Sequence, residues 1–204
     1  MDYQIEQFIN GPAGNHALWD ALMKAAANWA VPVFIGVVAV WFVLGWILGR
    51  PNERRGAILA LLAAGGGLLI NQVLNHVWQR ERPFYAHPGT VHLLVSKSTD
   101  ASFPSDHAVA SMAIAVAVFL MHRRIGLVVL AVALLVCYAR VYVGAHYPGD
   151  VLAGMAIGTA LTLILWGPLA IIPTKVNDAI TWLIRLLHLP LPDPEFHRGA
   201  PQQA

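Results

Sequence analysis

Residues 56–76 read GAILALLAAGGGLLINQVLNH, a run of 21 residues without a charged side chain. A helix needs about 20 predominantly apolar residues to cross the hydrocarbon core of a bilayer. Residues 30–49 form a second run, uncharged over 20 residues. Both runs therefore predict membrane-spanning helices.

The composition of the whole chain agrees with a membrane protein. Of its 204 residues 57% are hydrophobic and 12% are charged, with a mean hydropathy of +0.59, whereas a soluble domain has about 25% charged residues. The formal net charge is +2 and the basic residues form no stripe, so we expect no nucleic-acid partner. The single cysteine, Cys137, excludes an intrachain disulfide.

Three further apolar runs follow, at residues 108–121, 125–143 and 151–172. The first is short for a crossing unless its helix begins near Pro104. We therefore predict an all-α, polytopic membrane helical bundle with about five transmembrane helices, formed by one membrane-embedded domain at residues 1–189. Residues 190–204 are proline-rich and polar, which predicts a disordered tail.

Both ends of this domain carry amphipathic patterns. Leu18, Leu22 and Trp29 suggest an N-terminal helix lying at the membrane interface. A second such helix is expected at Val176–Leu189.

The positions of Lys and Arg predict the orientation in the membrane. Basic residues follow the first and fifth runs and join the third to the fourth, and positive loops face the cytoplasm. The N-terminus is then outside and the C-terminus inside. The residues concerned are Arg50, Arg54, Arg55, Arg123, Arg124, Lys175, Arg185 and Arg198.

Three polar blocks lie at the helix ends that the basic residues do not flank, which are the ends predicted to face away from the cytoplasm. Because the helices alternate in direction, all three blocks are expected on the same outward face. A site built by topology from several ionisable residues indicates function more strongly than isolated interfacial charges do. The blocks are Arg82-Pro83, then Pro104-Ser105-Asp106-His107, then Arg140 with His146 and Asp150.

The first block suits phosphate binding. If the second helix continues to about Glu81, Asn75 and Arg82 lie two turns apart on one face. A guanidinium gives permanently charged, bidentate contact to phosphate oxygens. Arg80, two residues away, is either a second phosphate contact or an interfacial anchor.

The second block begins the third helix, where free backbone N–H groups favour an anion. Ser105 and Asp106 also suit ordinary helix capping. His107 has no such structural explanation, since it precedes an alanine-rich helix.

In the third block, His146 precedes a Tyr-Pro-Gly turn and Asp150 is placed to reach back to its imidazole. A carboxylate that holds one ring nitrogen protonated leaves the other as a nucleophile. A zinc site made by His107, His146 and Asp150 is the competing interpretation. Arg82 and Arg140 nearby would repel a cation, so we expect no metal.

Together the blocks resemble the three-part signature of the type 2 phosphatidic acid phosphatase superfamily. That signature contains a lysine, six intervening residues and Arg-Pro, then Pro-Ser-Gly-His, then Ser-Arg followed by His and Asp. Three positions differ, since Asn75 replaces the lysine, Asp106 the glycine and Ala139 the serine. The forms FPSDH at 103–107 and RPF at 82–84 are similar to bacterial undecaprenyl diphosphatases of the bacitracin-resistance type.

The resemblance implies that the chain is an enzyme, a lipid diphosphate phosphatase that acts on undecaprenyl diphosphate through a phosphohistidine and without a cofactor. His146 would be the nucleophile, His107 the general acid and then base, and Asp150 the residue that orients His146. The resemblance also implies that the active site lies at the outer face of a bacterial plasma membrane. It does not specify an oligomeric state. The implied phosphate-binding residues are Arg82, Arg140, Ser105, Asp106, Arg80 and Asn75.

Two alternatives stay open at this point. One is a phosphatase of the same superfamily for phosphatidic acid, phosphatidylglycerol phosphate or lipid A. The other is a non-enzymatic transporter or sensor that binds phosphate, which gives no reason for His146 and Asp150 to accompany the arginines.

Overall fold

The computed structural model describes residues 1–187, which contain eight helices. Two of the eight, α1 and α4, have fewer than ten residues, and the others form a bundle. In chain order they are α1 (Asp2–Asn10), α2 (Ala17–Ile47), α3 (Pro51–Val77), α4 (Pro83–Ala86), α5 (Asp106–Met121), α6 (Arg123–Tyr142), α7 (Pro148–Trp166) and α8 (Ile171–Leu186).

Helix α5 lies at the centre of the bundle and packs against α3, α6 and α7. Every residue from 108 to 118 is buried, and alanine or serine occupies many of these positions. Small side chains let neighbouring backbones approach closely. Accordingly, a Cβ on Gly158 of α7 would lie 2.3 Å from the carbonyl oxygen of Val109. This contact fixes where α5 begins relative to α7.

The helices confirm the predicted all-α membrane bundle. Four of the described helices, α2, α3, α6 and α7, are long and apolar enough to cross a membrane. The expected third span, α5, has 16 residues and is about 24 Å long at 1.5 Å per residue. It begins at Asp106 rather than at Pro104. The predicted tail at 190–204 lies outside the described residues.

The interfacial helix predicted from Leu18, Leu22 and Trp29 is wrong, because these residues belong to the 31-residue helix α2. Its buried side chains recur every three or four residues on both sides of Pro32 and pack on the bundle, so the helix continues through Lys24 and Pro32. These side chains are Met23, Ala27, Ala30, Phe34 and Val38. The separate N-terminal helix is α1.

Two helix ends also differ from the prediction. Helix α3 ends at Val77, not near Glu81, so Arg82 lies on a connecting segment and does not share a helical face with Asn75. In this segment the backbone carbonyl of Arg80 accepts a hydrogen bond from the N–H of Ser102 at 2.8 Å. Helix α7 ends at Trp166 rather than at Ile172, and α8 begins five residues later.

Candidate active site

A polar cavity of about 120 Å³ lies at the end of the bundle where α5 and α7 begin and α6 ends. Its volume corresponds to about four water molecules, so it has room for a phosphate group and not for a lipid. Five predicted site residues line it, and topology alone brings them together from four separate segments. The lining residues are Arg82, Ser98, Asp100, Pro104, Asp106, His107, Arg140 and His146.

The two partners of the His146 ring determine its tautomer. Nδ1 lies 2.8 Å from the backbone carbonyl oxygen of Ser102, which can only accept a hydrogen bond. Nε2 lies 3.2 Å from Nη1 of Arg82, which can only donate one. The proton is therefore on Nδ1, and the electron pair of the unprotonated Nε2 accepts the hydrogen bond from Arg82.

His146 is 2% exposed and lies in the connection between α6 and α7. Burial lowers the pKa of its imidazole well below 6.5, and the positive charges of Arg140 and Arg82 lower the same pKa further. The ring is consequently neutral at physiological pH, as a nitrogen nucleophile must be.

Arg82 joins the cavity to the loop at residues 87–105. Its Nη1 donates to the carbonyl oxygen of Ala145 at 3.0 Å, beside His146. Its Nη2 pairs with Oδ2 of Asp100 at 3.0 Å, and its Nε donates to the Asp100 carbonyl oxygen. Asp100 is half exposed, so in this conformation a loop carboxylate occupies the guanidinium that would bind a phosphate.

Two buried donors at this end of the bundle have no partner among the described residues. Nε of Arg140 and the hydroxyl of Ser105 are both buried without a hydrogen bond. Buried donors are nearly always satisfied in proteins, and exceptions often mark a ligand site. Ser105 is the N-cap residue of α5, yet its side chain makes no capping bond. The capping explanation therefore does not account for its hydroxyl.

The side chain of α3 that contacts the second block is Asn71, not Asn75. The amide nitrogen of Asn71 donates to the carbonyl oxygen of Pro104 at 2.9 Å and to the carboxylate of Asp106. Asn75 instead lines an adjoining polar groove of about 500 Å³, which also contains Arg80, Arg82 and Asp100. The structure thus gives no support to Asn75 as a replacement for the signature lysine inside the cavity.

Asp150 does not contact His146 in the way that the sequence predicts. Its Oδ2 lies 3.9 Å from Nδ1 of His146, because the ring proton goes to Ser102. The same Oδ2 accepts hydrogen bonds from the Ser102 hydroxyl at 2.5 Å and from the Tyr147 N–H at 2.9 Å. Asp150 therefore acts on His146 through Ser102 and through the turn that begins α7.

Arg80 does not line the cavity. Its guanidinium pairs with Oδ1 of Asp150 and Oδ2 of Asp2, each at 2.6 Å, and lies 4.0 Å from the ring centroid of Tyr147. Hydrogen bonds and charge from these two carboxylates raise its pKa although burial opposes the shift. Of the two predicted roles, phosphate contact or anchor, the geometry favours an anchor.

No three or more His, Cys, Asp or Glu side chains within residues 1–187 are grouped so that they could hold a metal ion. His107, His146 and Asp150, the residues of the zinc alternative, therefore do not form such a group. Function without a metal stays a prediction.

At least four residues that the sequence pattern does not mark come to this site in the structure, Asn71, Ser98, Asp100 and Ser102. The Ser102 hydroxyl donates to the carboxylate of Asp150. The amide of Asn71 donates to the Pro104 carbonyl oxygen and the Asp106 carboxylate, and Asp100 pairs with Arg82. Ser102 stands two residues before the second block, so its position was the one available signal for it. Asn71 is an uncharged polar residue in an apolar span, a pattern that often marks a buried contact.

Known proteins of one family are similar to this chain. A family model described as the PAP2 superfamily matches residues 56–168. The undecaprenyl-diphosphatase BcrC of Bacillus subtilis is 31% identical over 166 residues, which are 81% of this chain and 83% of that protein. A lipid A 1-phosphatase of Rhizobium etli is 32% identical over 160 residues, covering 77% of this chain and 59% of that protein.

The bundle also resembles a solved structure. The crystal structure of Aquifex aeolicus LpxE superimposes with a TM-score of 0.68, covering 80% of this chain and 93% of that chain. The two sequences are 23% identical, so this likeness concerns the fold.

Proposed function

This chain belongs to the PAP2 superfamily, and we propose that it hydrolyses undecaprenyl diphosphate to undecaprenyl phosphate and inorganic phosphate at the outer face of the bacterial plasma membrane. One observation carries the chemistry. Arg82, Arg140, His107 and His146 converge on a cavity with room for one phosphate group. Nε2 of His146 is unprotonated there, and its electron pair becomes available to phosphorus when the Arg82 guanidinium that now donates to it binds the phosphate. The similarity to BcrC supports the choice of lipid.

The first step forms a phosphohistidine. Nε2 of His146 attacks the terminal phosphorus while the bond from phosphorus to the bridging oxygen breaks, and undecaprenyl phosphate leaves. Arg82, Arg140, Ser105 and the backbone N–H of Asp106 hold the phosphoryl oxygens. Such preorganised donors stabilise the charge that develops in the transition state.

The second step releases phosphate. His107 takes a proton from a water molecule, whose oxygen attacks phosphorus and displaces Nε2 of His146. Asp150 and Ser102 hold the His146 ring in register during both steps. His107 also donates a proton in the first step when the leaving oxygen needs one.

Phosphate release from undecaprenyl diphosphate by the purified chain tests this proposal. We expect release to continue in EDTA and to be lost in His146→Ala. His16→Ala is the matched control, because His16 is an exposed histidine at the start of α2. Loss of wild-type activity in EDTA contradicts the metal-free mechanism, and activity in His146→Ala contradicts the nucleophile.

A glycerolipid phosphate or lipid A is the second candidate substrate class. It is supported by the lipid A 1-phosphatase relative and by the polar groove beside the cavity. The same assay with phosphatidic acid, phosphatidylglycerol phosphate and lipid A ranks the substrates by kcat/KM. A higher value for any of these than for undecaprenyl diphosphate overturns the proposed lipid.

A further inference from the structure

Helix α1 carries polar residues at a spacing that places them on one helical face. Asp2, Glu6 and Asn10 are four residues apart, and side chains at i, i+4 and i+8 share a face. Glu6 and Asn10 are at most 1% exposed. An interfacial helix would direct such residues to water. Here the two end residues, Asp2 and Asn10, have a polar counterpart in the protein, whereas the Glu6 carboxylate makes no hydrogen bond among the described residues.

That counterpart is the connection between α6 and α7, which contains His146. At one end of α1, the amide nitrogen of Asn10 donates to the carbonyl oxygen of Tyr142, the last residue of α6, at 2.7 Å. At the other end, Oδ1 of Asp2 accepts a hydrogen bond from the N–H of Gly149, in the first turn of α7, at 2.9 Å. The nine residues of α1 place Asp2 and Asn10 about 12 Å apart along the helix axis, so the helix spans the connection from end to end.

Each end of α1 has a second attachment. Asp2 pairs with Arg80 at 2.6 Å, and Arg80 pairs with Asp150. Asn10 accepts from the N–H of His92 at 2.7 Å and donates to its carbonyl oxygen at 2.9 Å. The helix thus joins the connection that carries His146 to the loop at residues 87–105, which covers the cavity.

The connection needs such support. It includes Gly144, whose φ of 75° lies in the left-handed region, and residues 143–147 belong to no helix. A displacement of about 1 Å in a catalytic group can cost about a hundredfold in rate. A nucleophile on a five-residue connection is therefore sensitive to whatever fixes the ends of that connection.

We propose that α1 is a positioning element of the active site, in which Asp2 and Asn10 hold the α6–α7 connection so that Nε2 of His146 faces the cavity. The inference rests on the proposed function for its kinetic effect but not for its structural effect. Neither residue lines the cavity, so neither is expected to contact the substrate.

The kinetic test compares Asp2→Ala, Asp2→Asn and Asn10→Ala with the wild type, using protein tagged at the C-terminal end. We expect Asp2→Ala and Asn10→Ala to lower kcat about ten- to a hundredfold and to leave KM within about twofold. Asp2→Asn retains an acceptor for the Gly149 N–H, so it should recover part of kcat. Gln4→Ala is the matched control, since Gln4 lies on the exposed face of α1.

A structural test separates this inference from the proposed function. Hydrogen exchange at the amides of residues 143–147 and of Gly149 should be faster in Asp2→Ala than in the wild type or Gln4→Ala, whether or not a substrate is known. Unchanged exchange overturns the inference. An active wild type with full kcat in Asp2→Ala and Asn10→Ala also overturns it, whereas an inactive wild type with faster exchange in Asp2→Ala counts against the proposed function alone.

Discussion

Ser102 joins the two residues that the signature motif pairs directly. Its carbonyl oxygen accepts the Nδ1 proton of His146, and its hydroxyl donates to Asp150. At the residue scale, the orientation of His146 therefore depends on a fully buried serine outside the motif.

Substitution of Ser102 tests this connection. Ser102→Ala keeps the carbonyl that holds His146 but removes the hydroxyl that holds Asp150. We expect kcat to fall about tenfold with KM within about twofold, as measured by phosphate release. Ser96→Ala, an exposed serine on the same loop, should behave as the wild type. Equal kcat in Ser102→Ala and the wild type would show that the hydroxyl contact has no kinetic role.

His107 and His146 should respond differently to the leaving group. General acid catalysis contributes about a hundred- to ten-thousandfold when the departing oxygen is a poor leaving group, whereas a diphosphate releases a stable phosphate ester. We therefore expect His107→Ala to slow hydrolysis of an alkyl monophosphate more than hydrolysis of a diphosphate. His146→Ala should abolish both. Equal losses in His107→Ala on the two substrates would contradict the general acid role.

The pH dependence follows from the buried state of His146. Burial and the adjacent arginines lower its pKa well below 6.5, so the neutral, nucleophilic form persists as the pH falls through 6.5. We expect no acid limb in kcat/KM from His146 at that pH. Two substrates whose phosphate groups have different pKa values show whether an acid limb comes from the substrate or from the enzyme. A limb caused by the substrate lies at a different pH for each of them. A limb that stays at pH 6.5 for both substrates and is kept in His107→Ala would mean that His146 titrates normally.

At the scale of the elements, the contact between α5 and α7 sets the start of α5, where Ser105 and His107 lie. The backbone N–H of Ser105 donates to the carbonyl oxygen of Asp150 at 3.0 Å. A Cβ on Gly154 would approach the carbonyl oxygen of Ser105 to 2.7 Å. The start of α5, with Ser105 and His107, is therefore held beside the start of α7, with Asp150, because α7 has glycine where α5 crosses it.

Gly158 provides the test of this contact. In Gly158→Ala the new Cβ would lie 2.3 Å from the Val109 carbonyl oxygen and 3.0 Å from the Ala113 nitrogen. Backbone atoms cannot rotate away, so we expect a loss of about 1–3 kcal/mol in stability, typical of overpacking. Thermal unfolding in detergent measures it.

Gly36→Ala is the control for Gly158→Ala, since a Cβ on Gly36 of α2 meets nothing within 4 Å. Alanine is the better helix former by about 1 kcal/mol, so this variant should be as stable as the wild type or more stable. A similar unfolding midpoint for both variants would show that a Cβ at position 158, where α5 and α7 are closest, does not lower the stability.

At the scale of the whole molecule, the polar cavity and most basic residues lie at opposite ends of the bundle. The cavity is where α5 and α7 begin, and Arg123, Arg124 and the arginines that flank the start of α3 are at the other end. Positive loops face the cytoplasm. The proposed orientation therefore directs the cavity outward.

Cysteine labelling tests this orientation in a Cys137→Ala background, which removes the only native thiol. Lys97→Cys, on the exposed loop beside the cavity, should react with a membrane-impermeant maleimide in intact cells or spheroplasts. Asn52→Cys, exposed at the start of α3, should react only after permeabilisation. The reverse pattern would place the site in the cytoplasm.

The sequence by itself determined the membrane bundle and most of the ionisable side chains that line the cavity. Uncharged runs of helical length have few stable alternatives in a bilayer, because every backbone polar group must be paired internally. The alternation of helices then brought the predicted blocks to one end, where Arg82, His107, Arg140 and His146 line one cavity.

Only the tertiary structure decided how those side chains are held. Asn71, Ser102 and Asp2 contact residues that are 33, 48 and 147 positions away in the chain, and no local pattern encodes such pairs. The same holds for Arg80, which the sequence left as a phosphate contact or an anchor. Hydrogen bonds depend on distances and angles that packing sets, so these partners are fixed only when the helices are in place.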